Sequence, residues 1–180
     1  IAIKSGKMEM GMKYAKPSEN ITIRNCRMAY GHGAVVLGSE MSGGIRNLEV
    51  TKCLFVETDR GLRIKTRRGR GKNAIIDGIT FDHIKMQDVL TPFVINMYYF
   101  CDPDGKTEYV YDKNPLPIDE RTPYLGTFLF RNIQCINAHH AVGFFYGLPE
   151  QPIESITMED ISVSFSKEAV PGYPAMMSHI

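Results

Sequence analysis

Gly61-Leu62-Arg63-Ile64-Lys65-Thr66 sets two cations two residues apart within an aliphatic alternation. Read as a strand, Leu62 and Ile64 point to one face and Arg63 and Lys65 to the other. Arg offers a planar fork that matches a carboxylate, and Lys offers a compact point charge. Side by side they could hold an acidic ligand, although two ordinary solvated strand residues would look the same. Gly31-His32-Gly33 stands 30 residues before Arg63-Ile64-Lys65. Flanking glycines let backbone approach closely and leave an imidazole exposed. Asn96 and Tyr99 follow Lys65 at one further interval of about that size. Four separated polar positions of this kind form a site only if the chain returns to the same place at regular intervals.

An internal repeat supplies that return. Heptapeptides beginning at Asn20, Asn47, Gly78, Thr127 and Ser155 are apolar at positions two, four and seven. Their seventh residues are Cys26, Cys53, Ile84, Ile133 and Ile161. Eight residues beyond the seventh position, a second short strand begins at Ala34, Gly61, Pro92 and Ala141. Ile1-Ala2-Ile3-Lys4-Ser5-Gly6 reads as one more strand of this second type. Short strands in every repeat, with no amphipathic helix between them, predict an all-β parallel β-helix of about five coils. Residues one repeat apart then stack about 4.8 Å apart. His32 falls over Asp59, Val36 over Arg63, and Gly38 over Lys65 and Asn96. Cys26 and Cys53 stack inside as small hydrophobes, while Asp59 and Asp77 read as turn residues.

The 180 residues predict one domain, 1–180, interrupted by two loops. One runs from Lys7 to Glu19 and carries Met8, Met10 and Met12. The other, 101–125, is rich in Pro, Asp and Tyr. Net charge is +1, which excludes polyanion binding through bulk charge, and no apolar run is long enough to span a bilayer. The basic run Lys65–Lys72 lacks the interleaved aromatics of a nucleic-acid surface, so it reads as a solvated loop. Four cysteines form no CxxC pair, which argues against a zinc site. They are expected to be free thiols and leave the compartment undecided. No metal or cofactor is expected.

Gly-His-Gly, Arg-Ile-Lys and the coil repeat, in that order, resemble family 28 of the glycoside hydrolases, the polygalacturonases. The resemblance runs from Ile1 to about Phe165. It implies a right-handed parallel β-helix that hydrolyses pectin or galacturonan with inversion. His32 would assist the catalytic carboxylates. Arg63 and Lys65 would bind the galacturonate carboxylate, and Asn96, in the Lys65 column, is a further candidate for substrate binding. Tyr99 would line the subsite where cleavage occurs, with Tyr98 as an alternative. The implied partner is an acidic polysaccharide, neither nucleic acid nor membrane, and the basic loop would line its groove. The family's Asn-Thr-Asp and Gly-Asp-Asp motifs precede the stretch that Ile1–Lys7 resembles. The chain is therefore expected to be truncated at its N-terminus and also at its C-terminus. As given it would be inactive and would self-associate through an open coil end. A non-catalytic carbohydrate-binding or structural β-helix is the alternative reading, and nucleic-acid binding through the basic run is a third. Family members are often secreted.

Overall fold

The described residues run through twelve strands: β1 (Ala2–Ile3), β2 (Ser18–Arg24), β3 (Arg27–Ala29), β4 (Val35–Gly38), β5 (Ile45–Val56), β6 (Arg60–Lys65), β7 (Ile75–Gln87), β8 (Thr91–Asn96), β9 (Tyr124–Leu125), β10 (Thr127–Ala138), β11 (Gly143–Tyr146) and β12 (Ser155–Phe165). This computed structural model describes residues 1–174 and 179. The strands form two parallel ladders. One is β1-β4-β6-β8-β11, and the other is β2-β5-β7-β10-β12, with β3 continuing β2 along β5. The chain visits each ladder once per turn, which makes a parallel β-helix of five turns.

The five heptapeptides stack as predicted. Ile21 pairs with Leu48, Leu48 with Ile79, Ile79 with Phe128, and Phe128 with Ile156. The apolar pattern at positions two, four and seven has a physical cause. Position six adopts a left-handed backbone in every copy, at Asn25, Lys52, His83, Asn132 and Asp160. One such residue breaks the strict alternation of a strand, so the next inward side chain falls at seven instead of six. A second left-handed column follows four residues after the seventh position, at Tyr30, Glu57, Asp88 and Asn137. These two columns are the corners that fold each long strand around the core. Asn and Asp tolerate this conformation better than most residues, and in the stack they also bond one another. Asn137 Nδ2 donates to Asp88 Oδ1 at 3.0 Å, and in a further left-handed column, at position one, Asn47 Nδ2 donates to Asn20 Oδ1 at 3.1 Å.

Inward columns of Val, Ile, Leu and Phe fill the coil. Phe81 lies at its centre, fully buried, with Phe55 at 6.4 Å and Phe130 at 5.9 Å between ring centroids, both edge-on. Phe81→Ala is expected to cost about 3–5 kcal/mol, because rungs above and below hold the backbone apart and the cavity cannot collapse. Urea unfolding of the variant would check this, and a loss below about 1 kcal/mol would show that the core repacks freely. Cys53 is buried, whereas Cys26 is only half-buried, because it lies between β2 and β3 on the end rung of its ladder. All four cysteines are free.

Three departures from the sequence reading have local causes. The fifth turn is one residue out of the predicted offset, with Gly143, not Val142, opposite Phe93. The backbone N–H groups of His139 and His140 both donate to Leu90 O, so this corner holds an extra residue. The slip exchanges the inward and outward faces of β11. The segment expected as a methionine loop contains a helix, α1 (Met8–Tyr14). Its Met12 packs so close to Gly71 that a Cβ there would come within 2.8 Å of Sδ. The predicted 101–125 insertion is partly ordered, with a 3-10 turn at Pro103–Lys106 and a short helix, α2 (Glu108–Tyr111). It re-enters the sheet as β9, where Tyr124 pairs with Ile75. Among the described residues, no helix is long and apolar enough to cross a membrane.

Candidate active site

The outer face of the β4-β6-β8 ladder collects the polar residues that the sequence singled out. Arg63 pairs in register with Val36 and Val94, and Lys65 with Gly38 and Asn96. Small or aliphatic neighbours leave the two cations room to stand side by side. Gly33 packs directly over Arg63, since a Cβ on it would meet Arg63 Cβ at 3.4 Å. The preceding turn carries His32, and Gly31 at φ +98° supplies a conformation that other residues rarely adopt. The His32 side chain projects outward, 85% exposed, and its Nδ1 lies 2.8 Å from Asp59 Oδ2. Asp59 is therefore more than the turn residue that its position implied; it is bonded to a candidate site residue. The signal was available in the 27-residue column that places 32 over 59. Asp77 keeps the expected turn role, its Oδ1 accepting from the Thr127 backbone N–H and hydroxyl.

Arg63 is only 8% exposed, and its Nε has no hydrogen-bond partner among the described residues. Burial lowers its pKa, with the opposing influences of Tyr99 and Asp59 smaller. Lys65 is lowered for the same reason, burial first and then the neighbouring Arg63 charge. Two cations thus stand together, partly stripped of water, on one face. The Tyr99 ring lies beside both, 5.9 Å from the Arg63 guanidinium carbon and 5.2 Å from Lys65 Nζ. Burial pushes the Tyr99 hydroxyl up, so it stays protonated as a hydrogen-bond donor at neutral pH. Tyr98 points elsewhere. It is buried against Tyr146 at 4.5 Å, with Lys113 Nζ 3.6 Å from its ring centroid. Asn96 is 1% exposed, and its Oδ1 accepts from the Tyr98 backbone N–H at 2.8 Å. It shapes the turn that presents Tyr99 from within the fold, where the sequence placed it on the binding surface.

The basic run overturns its expected role as a solvated loop. Arg67, Arg68 and Arg70 are 1%, 1% and 0% exposed. Arg67 forms an ion pair with Asp104. Arg68 grips Glu150 with two bonds of 2.6 and 2.8 Å and donates to the carbonyls of Tyr109, Asp112 and Asn114. Lys7 reaches Asp102 at 2.9 Å. Arg67 and Arg68 anchor the 101–125 insertion, which closes over them, and Lys7 ties it from the surface. Burial and the adjacent Arg67 lower the Arg70 pKa to about 10. Among the described residues, no cluster of His, Cys, Asp and Glu is arranged to hold a metal ion.

Comparison with known proteins places this geometry. The family model "Glycosyl hydrolases family 28" matches residues 1–170. A probable polygalacturonase from Vitis vinifera is 28% identical over 173 residues, covering 94% of this chain and 32% of that protein. A polygalacturonase from Prunus persica is 28% identical over 155 residues, 84% of this chain and 37% of that protein. The crystal structure of a hyperthermoactive exopolygalacturonase from Thermotoga maritima superimposes with a TM-score of 0.75 at 28% identity, over 92% of this chain and 34% of that one. The chain thus spans about a third of the length of these relatives. With this family match over residues 1–170, its five-turn coil and its Gly-His-Gly and Arg-Ile-Lys stretches at one sheet face, the chain belongs to family 28 of the glycosyl hydrolases.

Proposed function

We propose that this chain supplies the substrate-holding side of a glycosidase cleft that takes galacturonan, the polyuronide of pectin, and supports its hydrolysis with inversion. One observation carries the reading: Arg63 and Lys65 stand adjacent and desolvated on an open sheet face, with Tyr99 beside them and His32 at the edge. A uronate carboxylate placed there relieves the repulsion between the two cations and satisfies Arg63 with a charge-assisted fork. The Tyr99 ring, beside both cations, would line the same sugar. Inverting hydrolysis needs an acid at the glycosidic oxygen and a carboxylate that activates water. Asp59, the carboxylate beside His32, is already engaged by His32 and Arg60. Neither Asn-Thr-Asp nor Gly-Asp-Asp occurs within residues 1–180. The role of this chain is to bind and orient, with His32 at the edge where the reacting bond would lie.

Binding decides between this reading and its alternatives. Titration calorimetry of the chain with oligogalacturonate is expected to show saturable binding that weakens as salt rises, and no binding to a neutral galactan. Equal affinity for duplex DNA would show that the site takes polyanions by charge alone and has no preference for a uronate. Equal affinity for the neutral galactan would remove the carboxylate from the argument.

A further inference from the structure

We propose that Asp59 is a positioning residue that fixes the tautomer and orientation of His32, a reading that rests on the hydrolysis proposed above. His32 is highly exposed, and one side-chain contact holds its ring: Nδ1 to Asp59 Oδ2 at 2.8 Å. Asp59 itself is held on three sides. Its Oδ2 accepts from Arg60 Nη1 at 3.0 Å, its backbone N–H donates to Gly31 O at 2.9 Å, and its carbonyl accepts from Thr91 N–H at 3.1 Å. The Arg60 side chain is 4% exposed and cannot swing away. Arg60, Asp59 and His32 therefore form a line from the packed interior to the cleft edge, along which the rigid core sets the angle of a surface imidazole.

The chemistry of the contact decides the proton. A carboxylate only accepts, so the neutral imidazole must carry its hydrogen on Nδ1. Nε2 is then left with a free lone pair facing away from Asp59. In that state His32 can accept a hydrogen bond from a carboxylic acid, a water or a sugar hydroxyl in the cleft. In the other tautomer it would offer a donor instead, and the bond to Asp59 would be lost. Asp59 does not touch the substrate in this scheme and acts only through His32.

Two measurements test it. Nitrogen-15 NMR of the chain, at a pH where His32 is neutral, is expected to show the Nδ1–H form. In Asp59→Asn the amide can donate to Nδ1, and the spectrum should move toward the Nε2–H form. In the natural protein that carries this chain, Asp59→Asn is expected to lower kcat on polygalacturonate about 100-fold, with KM changed less than about twofold, as for a misplaced catalytic group. The double variant His32→Ala/Asp59→Asn should then be no slower than His32→Ala alone. An Nε2–H tautomer in the unaltered chain, or a double variant slowed by the full factor of Asp59→Asn, would overturn the proposal. If Asp59→Asn does not fold, the unaltered spectrum still decides. If the natural protein releases no sugar from polygalacturonate, the proposed function fails, while the tautomer measurement judges Asp59 separately.

Discussion

Arg63→Gln is expected to lower kcat/KM on polygalacturonate by about 30- to 1,000-fold in the natural protein that carries this chain, corresponding to roughly 2–4 kcal/mol of lost transition-state binding. The size of the effect follows from the site. Arg63 is nearly buried and stands next to Lys65, so its charge is weakly screened and meets an incoming carboxylate without first shedding much water. Gln keeps most of the stem that packs along Tyr99 and removes the charge and the fork. Arg63→Lys should recover only part of the loss, since an ammonium cannot make two parallel bonds to one carboxylate. A neutral substrate analogue should be bound equally by the unaltered protein and by the Arg63→Gln variant. Steady-state kinetics on polygalacturonate and on a methyl-esterified pectin would show this. Undiminished turnover of polygalacturonate by Arg63→Gln would remove Arg63 from the site.

The largest expected effect on stability comes from a residue with no place in the chemistry. Arg68→Met should destabilise the fold by about 3–5 kcal/mol, because it strands the carboxylate of Glu150, which is 4% exposed, without its cation. The three carbonyls at Tyr109, Asp112 and Asn114 lose their donor in the same step, so the 101–125 insertion should loosen first. Urea denaturation and limited proteolysis, with early cleavage within that insertion, would register both. The pH dependence has a definite sign. Burial raises the Glu150 pKa, but the Arg68 hydrogen bonds and charge outweigh it, and the net shift is downward. A carboxyl with a lowered folded-state pKa contributes stability that is present above its unfolded value, about pH 4.3, and is lost as pH falls through the folded value. The gap between the unaltered chain and Arg68→Met should therefore narrow on acidification below about pH 4. A gap that is constant from about pH 7 to about pH 3 would mean that the pair contributes packing alone.

These two arginines lie five residues apart, and the sequence treated them differently for a reason. Arg63 was legible because it sits inside an alternating strand, where side-chain direction follows from the period of two. The offset of eight residues from the heptapeptide fixed its column as well. The same rule placed His32 over Asp59 and Gly38 over Lys65, and both appear in the fold. Arg68 lies beyond the strand end, in a run that has no periodicity. Nothing local distinguishes a solvated basic loop from one that is about to be covered. The clue was distant: the acidic groups at Asp102, Asp104 and Glu150 occur 34 or more residues further on. The slip in β11 was hidden for a similar reason, since a corner can absorb one extra residue without altering the apolar pattern on either side.

By itself the sequence determined the coil, the stacking of its heptapeptides and the face on which Arg63 and Lys65 stand. All three follow from short-period patterns that act on every rung alike. Tertiary structure alone decided what lies between the rungs. It chose Tyr99 over Tyr98 as the aromatic neighbour, because the turn held by Asn96 sets one ring beside Arg63 and Lys65 and the other against Tyr146. It withdrew Asn96 from the surface. It also buried the basic run beneath the insertion. Each of these choices depends on the meeting of segments far apart in the chain, and such a meeting carries no period for the sequence to display.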